Sequence, residues 1–429
     1  MSPPKLIIDT DPGVDDVLAL LLALSAPQNE AELMMISVTF GNVPREQCAR
    51  NTLTLFNVLE DELSWRRRVG KPEGYNVLRN SRPIVALGAE GPLEGEILAA
   101  DYFHGLDGLQ NVHNSYPQYT PTDNWETLFQ VAEISDNTSR RFIPSKEPAH
   151  VEMLRLLRES PANSITIVAM GPLTNVALAA AEDPETFLRV KEVIVMGGAV
   201  HSKGNVTPVA EFNTYADPVA AARVYALTSP NPSSTMPASQ RNSKLGVYPD
   251  NLSSHLRVVL APLDITVPHV MKKSHFEEEV KPHIDAGSPL ALWASKFILA
   301  TYDKMRSLQK TGKQPDFSLH DPLTIWYAMT RDDPGWQVTT EAEDLRVETT
   351  GEWTRGMHVI DERNRKTAID EAVSDEDILS HKVNLKDVEN MPGDHMGWLN
   401  PGKGNRIHRL LASPGVDVFS KHLLQRVFG

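Results

Sequence analysis

Short apolar runs bounded by Gly, Asp or Pro recur through the first two thirds of the chain: Leu6-Ile7-Ile8, Met35 to Phe40, Ile165 to Met170, Val193 to Met196 and Val258 to Leu263. They are nearly continuous rather than alternating, as strands buried on both faces should be. Helical patterns lie between them, at Asp16 to Ser25, Glu46 to Leu59, His150 to Arg158, Leu173 to Ala181 and Pro218 to Leu227. Strand then helix, repeated, predicts an α/β fold with a mostly parallel, Rossmann-like open sheet and helices on both faces. Ligands of such sheets bind beyond the carboxyl ends of the strands. Polar residues gather in those places: Asp9 to Asp16 after the first run, Gly41-Asn42 after the second, Gly171 after the third, and Gly197 to Asn213 after the fourth.

Two polar stretches rich in Pro, Ser and Asn, Asn111 to Pro148 and Thr228 to Ser254, interrupt the rhythm and read as insertions or long surface loops, partly disordered and not catalytic. After about Asp333 the pattern changes. Alternating segments such as Asp344 to Thr349 and Gly356 to Asp361 predict extra antiparallel or edge strands, followed by a closing helix near Val416 to Val427. No internal repeat or linker stands out, so a single domain over residues 1–429, with a C-terminal extension from about 334, is the simplest organisation.

Composition narrows the function. With 41% hydrophobic and 23% charged residues, the chain of 429 can bury a sizeable core. A formal net charge of -14 argues against a nucleic-acid partner, whose phosphates call for a basic patch. The single cysteine, Cys48, excludes an intrachain disulfide and a Cys-rich zinc site, which fits a reducing compartment. MSPPKLIID enters a core strand with no signal-peptide pattern, and no apolar run reaches the roughly 20 residues of a membrane span, so a cytoplasmic protein without membrane contact is expected.

IIDTDPGVDDVLAL places Asp9, Asp11, Asp15 and Asp16 on the turn between a strand and a helix. Two carboxylates about 4 Å apart repel by roughly 4 kcal/mol at an effective dielectric near 20, and a bound cation removes that cost. Oxygen ligands without His or Cys point to calcium or magnesium, and calcium better tolerates irregular, high coordination. Capping the helix is the simpler explanation, but a cap needs one acid and not four. A strand followed by Asp-x-Asp also opens magnesium-dependent haloacid-dehalogenase-type phosphatases, although Pro-Gly-x-Asp-Asp fits that pattern poorly.

DTDPGVDD resembles the opening of the inosine-uridine preferring nucleoside hydrolases. The likeness continues in family order through TFGN (Thr39 to Asn42), HGLDGL (His104 to Leu109), AMGPLTNVAL (Ala169 to Leu178), VMGG (Val195 to Gly198), GNVTPVAEFN (Gly204 to Asn213) and LHDP (Leu319 to Pro322), with a weaker match at Thr354 to Met357. The resemblance implies hydrolysis of a ribonucleoside to ribose and free base, a Ca2+ cofactor, and a homodimer or homotetramer. It makes Asp11, Asp16, Asp321 and the main-chain carbonyl of Met170 calcium ligands; Met stands where Thr is common, which is immaterial if only the carbonyl binds. It makes Asp11 the general base toward a calcium-held water, with Asp9 supporting from behind. It assigns Asp15, Asn42 and Asn213 to the ribose 2'- and 3'-hydroxyls, and Asn205 and Glu211 to the 5'-hydroxyl. The stretch Thr228 to Ser254 and the C-terminal extension depart from the family core.

The chemistry is coherent with that set. N-glycoside hydrolysis passes through an oxocarbenium-like cation, so the site must supply a nucleophile on one face of the sugar and help the base depart. His320, beside Asp321, is a candidate acid for the leaving base, and histidine here marks one subgroup of the family. His104 sits in a Gly-rich stretch that reads as a flap over the ligand. Asn175 reads as a brace for the helix that follows, Met196 as core, and Tyr102 and Phe103 as side chains able to stack on a base. A calcium-dependent nucleoside or ribose sensor without turnover is the second alternative to an enzyme.

Overall fold

The computed structural model describes residues 3–121, 125–130, 140–242, 245–310, 313–363, 365 and 392–429. Its strands are β1 (Lys5–Thr10), β2 (Glu32–Val38), β3 (Ile84–Leu87), β4 (Ile143–Pro144), β5 (Ile165–Ala169), β6 (Glu192–Met196), β7 (Val258–Ala261), β8 (Val270–Met271), β9 (Phe317–Ser318), β10 (Gln337–Val338), β11 (Arg346–Val347), β12 (His358–Val359) and β13 (Ile407–Ala412). One sheet runs in the order β10-β13-β7-β6-β5-β1-β2-β3-β4. Every neighbouring pair in it is parallel except β10 with β13.

The apolar runs are continuous because each strand feeds two cores. In β1, Leu6 and Ile8 join one buried cluster while Ile7 joins the other. The first cluster also takes helix α1 (Val14–Ser25), the helices Pro289–Leu308 and His320–Thr330, and the closing helix Val416–Phe428. The second takes the helices Ala149–Glu159, Thr174–Glu182 and Pro218–Ala226. Helices therefore cover both faces, as the pattern predicts. Among the described residues no helix is long and apolar enough to cross a membrane.

Strand order positions the site. The chain moves outward from β1 through β2, β3 and β4, then returns to the other flank of β1 as β5 and continues through β6 and β7. The direction reverses between β1 and β5, so the crevice opens where their carboxyl ends diverge, at Asp11 and Met170.

Two expectations need correction. The stretch Asn111 to Pro148 is more than a surface loop: it supplies β4 at the sheet edge and buries Val112, Phe129 and Phe142, with 122–124 and 131–139 outside the described residues. The stretch Thr228 to Ser254 likewise buries Met236, Tyr248 and Leu252, with 243–244 outside the described residues. In both, widely spaced anchors are hidden within a polar composition. In the C-terminal region β11 and β12 pair antiparallel as expected, and β13, a strand the pattern did not predict, enters the main sheet parallel to β7. Residues 364 and 366–391 of that extension lie outside the described residues.

Candidate active site

The turn from β1 into α1 builds the first half of the site. Gly13 precedes α1 and donates its N–H to Asp16 Oδ2 at 3.0 Å, so the acid three residues on closes the helix start. Asp16 also accepts from Thr10 Oγ1 (2.5 Å), Asp11 N (3.2 Å) and Asn42 Nδ2 (2.8 Å), which fixes its carboxylate in place. A Cβ at residue 13 would lie 2.6 Å from His104 Nδ1 and 2.8 Å from Asn42 Nδ2, so the turn needs glycine for this close approach. The N–H of Val14 donates to His104 Nδ1 at 3.3 Å. That bond puts the proton of a neutral imidazole on Nε2, and burial, with His320 nearby, pushes the His104 pKa down to about 3.

The second half comes from the helix His320–Thr330, which packs on α1 so that two helix N-termini converge. Carboxylate oxygens of Asp15, Asp16 and Asp321 lie within 4.8 Å of one another, an arrangement able to hold a metal ion. Burial and the charge of Asp16 push Asp15 up to about 8. Burial, then the charges of Asp15, Asp16 and Asp11, hold Asp321 well above the carboxylate range. Asp11 is raised in the same way, by burial and then by Asp16. Its Oδ2 accepts from Asn42 N at 2.7 Å, while its buried Oδ1 has no hydrogen-bond partner among the described residues. Such an orphaned oxygen beside clustered acids fits a cation that supplies the missing positive charge.

A cavity of ≈ 360 Å³ opens above these acids, within the roughly 300–1,000 Å³ of small-molecule pockets. Asp15, Asn42, His104, Met170, Asn205, Glu211, Asn213, His320 and Asp321 all line it, so residues from separate sequence motifs meet at one place. Asp11 and Asp16 are fully buried and are absent from the lining. Glu211 caps the helix Phe212–Ala216, taking N–H groups from Asn213 (2.7 Å), Thr214 (3.0 Å) and Gly198 (2.9 Å). Asn205 Oδ1 accepts from Phe212 N at 2.9 Å. Asn213 Nδ2 donates to the Met170 carbonyl at 2.6 Å, which ties the loop after β6 to the end of β5 and turns the amide oxygen of Asn213 away from that bond. His320 Nδ1 meets Thr266 Oγ1 at 2.8 Å, and burial pushes its pKa down to about 4.

Asp9 does not join the acids. It lies on the other face of β1, where its Oδ1 accepts from Ser37 Oγ and from Asn175 Nδ2 at 2.8 Å, and burial raises its pKa to about 7. Asn175 braces strands rather than its own helix, because it also accepts from Ala89 N at 2.7 Å. Met196 and Phe212 line the cavity, as do Tyr102 and Phe103. Sequence reasoning missed the wall of Met305, Leu308, Asp316, Phe317 and Ser318. Its one advance signal is proximity in sequence to His320.

A family profile for the inosine-uridine preferring nucleoside hydrolases matches residues 6–388. The chain belongs to this family. These nucleoside hydrolases cut N-glycosyl bonds of ribonucleosides, and the phosphatase and sensor alternatives fall away. The pyrimidine-specific ribonucleoside hydrolase RihA of Salmonella paratyphi B is 31% identical over 358 residues, covering 83% of this chain and 88% of its own. An uncharacterized Schizosaccharomyces pombe protein is 29% identical over 358 residues, covering 83% of this chain and 89% of its own. The purine-preferring ribonucleoside hydrolase from Gardnerella vaginalis shares the fold, with a TM-score of 0.64 at 20% identity over 99% of this chain and 98% of that one.

Proposed function

We propose that this nucleoside hydrolase works with calcium held by Asp11, Asp16, Asp321 and the Met170 carbonyl, and that Asp11 is the base for the attacking water. The observation that carries the reading is the meeting of clustered, buried carboxylates and the ribose-binding motifs at one cavity, at the sheet's reversal point. All the donors are oxygens, which suits a hard cation of high coordination number. Calcium, when bound, would acidify a water molecule and hold the cis-diol of the sugar.

The side chains divide the remaining work. Asp15, Asn42 and Asn213 bind the 2'- and 3'-hydroxyls, and Asn205 and Glu211 bind the 5'-hydroxyl, fixing the anomeric carbon for attack. The buried carboxylates, set before the reaction, stabilise positive charge as it develops on the ribosyl ring. Thr266 Oγ1 lies 2.8 Å from His320 Nδ1; in the proposed tautomer the hydroxyl donates to Nδ1 and neutral His320 keeps its proton on Nε2, where it hydrogen-bonds the departing base. His104 caps α1 and closes the cavity from the flap side.

The test is reducing-sugar release from inosine, uridine, adenosine, guanosine and cytidine, with and without a calcium chelator. Release that stops with chelation and returns with calcium supports the proposal. Undiminished release from metal-free enzyme would remove calcium from it.

A further inference from the structure

The cavity has a second wall that the ribose and metal assignments do not use. It is built by the end of the helix Pro289–Leu308, by β9 and by the flap. Phe103, Met305, Leu308 and Phe317 give it an apolar surface on which a flat base can lie. Two of its polar side chains, Asp316 and Ser318, come from one short segment. Ser318 Oγ donates to the Val267 carbonyl at 3.2 Å, so toward the cavity it offers lone pairs. Asp316 is exposed and makes no hydrogen bond or ion pair with another described residue. Among the described residues the lining contains no Lys or Arg.

The wall therefore presents acceptors and negative charge to the edge of the base. A carboxylate accepts two parallel N–H bonds, as in its pairing with a guanidinium fork. The guanine edge carries N1–H beside the 2-amino group and so matches both oxygens. Hypoxanthine and uracil lack a second N–H donor beside the first, so one carboxylate oxygen would be left without a partner. We propose that Asp316 is a specificity-determining residue that selects bases with adjacent N–H donors, guanosine foremost; this rests on the nucleoside hydrolase reading of the cavity.

The experiment compares kcat/KM for guanosine and inosine in the wild type, Asp316→Asn and Asp316→Ala. The guanosine-to-inosine ratio is the readout, since any general loss of folding or ribose chemistry cancels in it. The wild type is expected to favour guanosine by about tenfold, the lower end of what a charge-assisted pair contributes. The carboxamide of the Asp316→Asn variant matches an N–H beside a carbonyl, so the ratio should fall by more than about tenfold, to below one and in favour of inosine; Asp316→Ala should bring it close to one. A ratio unchanged in both variants, or a wild type that prefers inosine, overturns the assignment. Calorimetric binding of the two nucleosides gives the same ratio without turnover. An enzyme that binds them with the expected preference and hydrolyses neither would contradict the hydrolase reading and leave the Asp316 assignment supported.

Discussion

Gly171→Ala moves Asp11 without changing its chemistry. A Cβ at residue 171 would stand 2.6 Å from Asp11 Oδ1 and 3.0 Å from Thr39 Cγ2, where ordinary contact begins at 3.4 Å. Relief requires a displacement of 3.4 − 2.6 = 0.8 Å. Retreat is resisted on the other side by the hydrogen bond that Oδ2 accepts from Asn42 N at 2.7 Å. The carboxylate must therefore tilt and weaken the Asn42 bond. A misplacement near 1 Å costs about a hundredfold in rate, or about 2.7 kcal/mol in the barrier. Overpacking of this size costs stability on the order of 1–3 kcal/mol, so the enzyme should stay folded. The assay is kcat at saturating nucleoside and calcium, beside a thermal melt. A folded Gly171→Ala enzyme with wild-type kcat would refute the claim that the position of Asp11 sets the chemical step.

His320→Ala should slow natural nucleosides by about 10²–10³-fold while scarcely affecting nitrophenyl riboside, whose leaving group departs as a stable anion; equal slowing of both would remove His320 as the hydrogen-bond donor to the departing base. His358, which is buried, has its pKa pushed down by that burial from 6.5 to about 4. The unfolded chain therefore takes up the proton first, and the stability associated with neutral His358 is complete above pH 6.5 and lost as pH falls toward 4. The full loss is roughly 3 kcal/mol, so in urea titrations His358→Gln should lose less stability than the wild type between about pH 7 and about pH 4.5. Identical slopes would show that His358 does not titrate differently on folding.

What was legible in the sequence is what is local in the chain. Thr10, Asp11, Gly13 and Asp16 act on one another across a single turn, so their types and spacing carried the meaning. The position of Asp9 behind the acids was legible as well. Alternation along β1 puts it on the Ile7 face, away from Thr10 and α1. The base-side wall was illegible: Met305 and Leu308 are ordinary helix residues, and only packing brings them to the cavity. The helices Lys273–Asp285 and Pro289–Leu308 were overlooked despite a readable start, since Ser288 caps the second one with Pro289 at its first position. The strand β13 could not be read as parallel, because its partner β7 is remote in sequence.

That remote pairing bears on how the protein is made. A ribosome delivers β7 well before residues 407–412, so the growing chain carries a strand edge whose N–H and C=O groups await partners still to be synthesised. The interval suits chaperone capture and exposes the chain to misassociation with its neighbours. A lesion in β13 should therefore lower soluble yield during synthesis more than it lowers the melting temperature of the molecules that reach the native state.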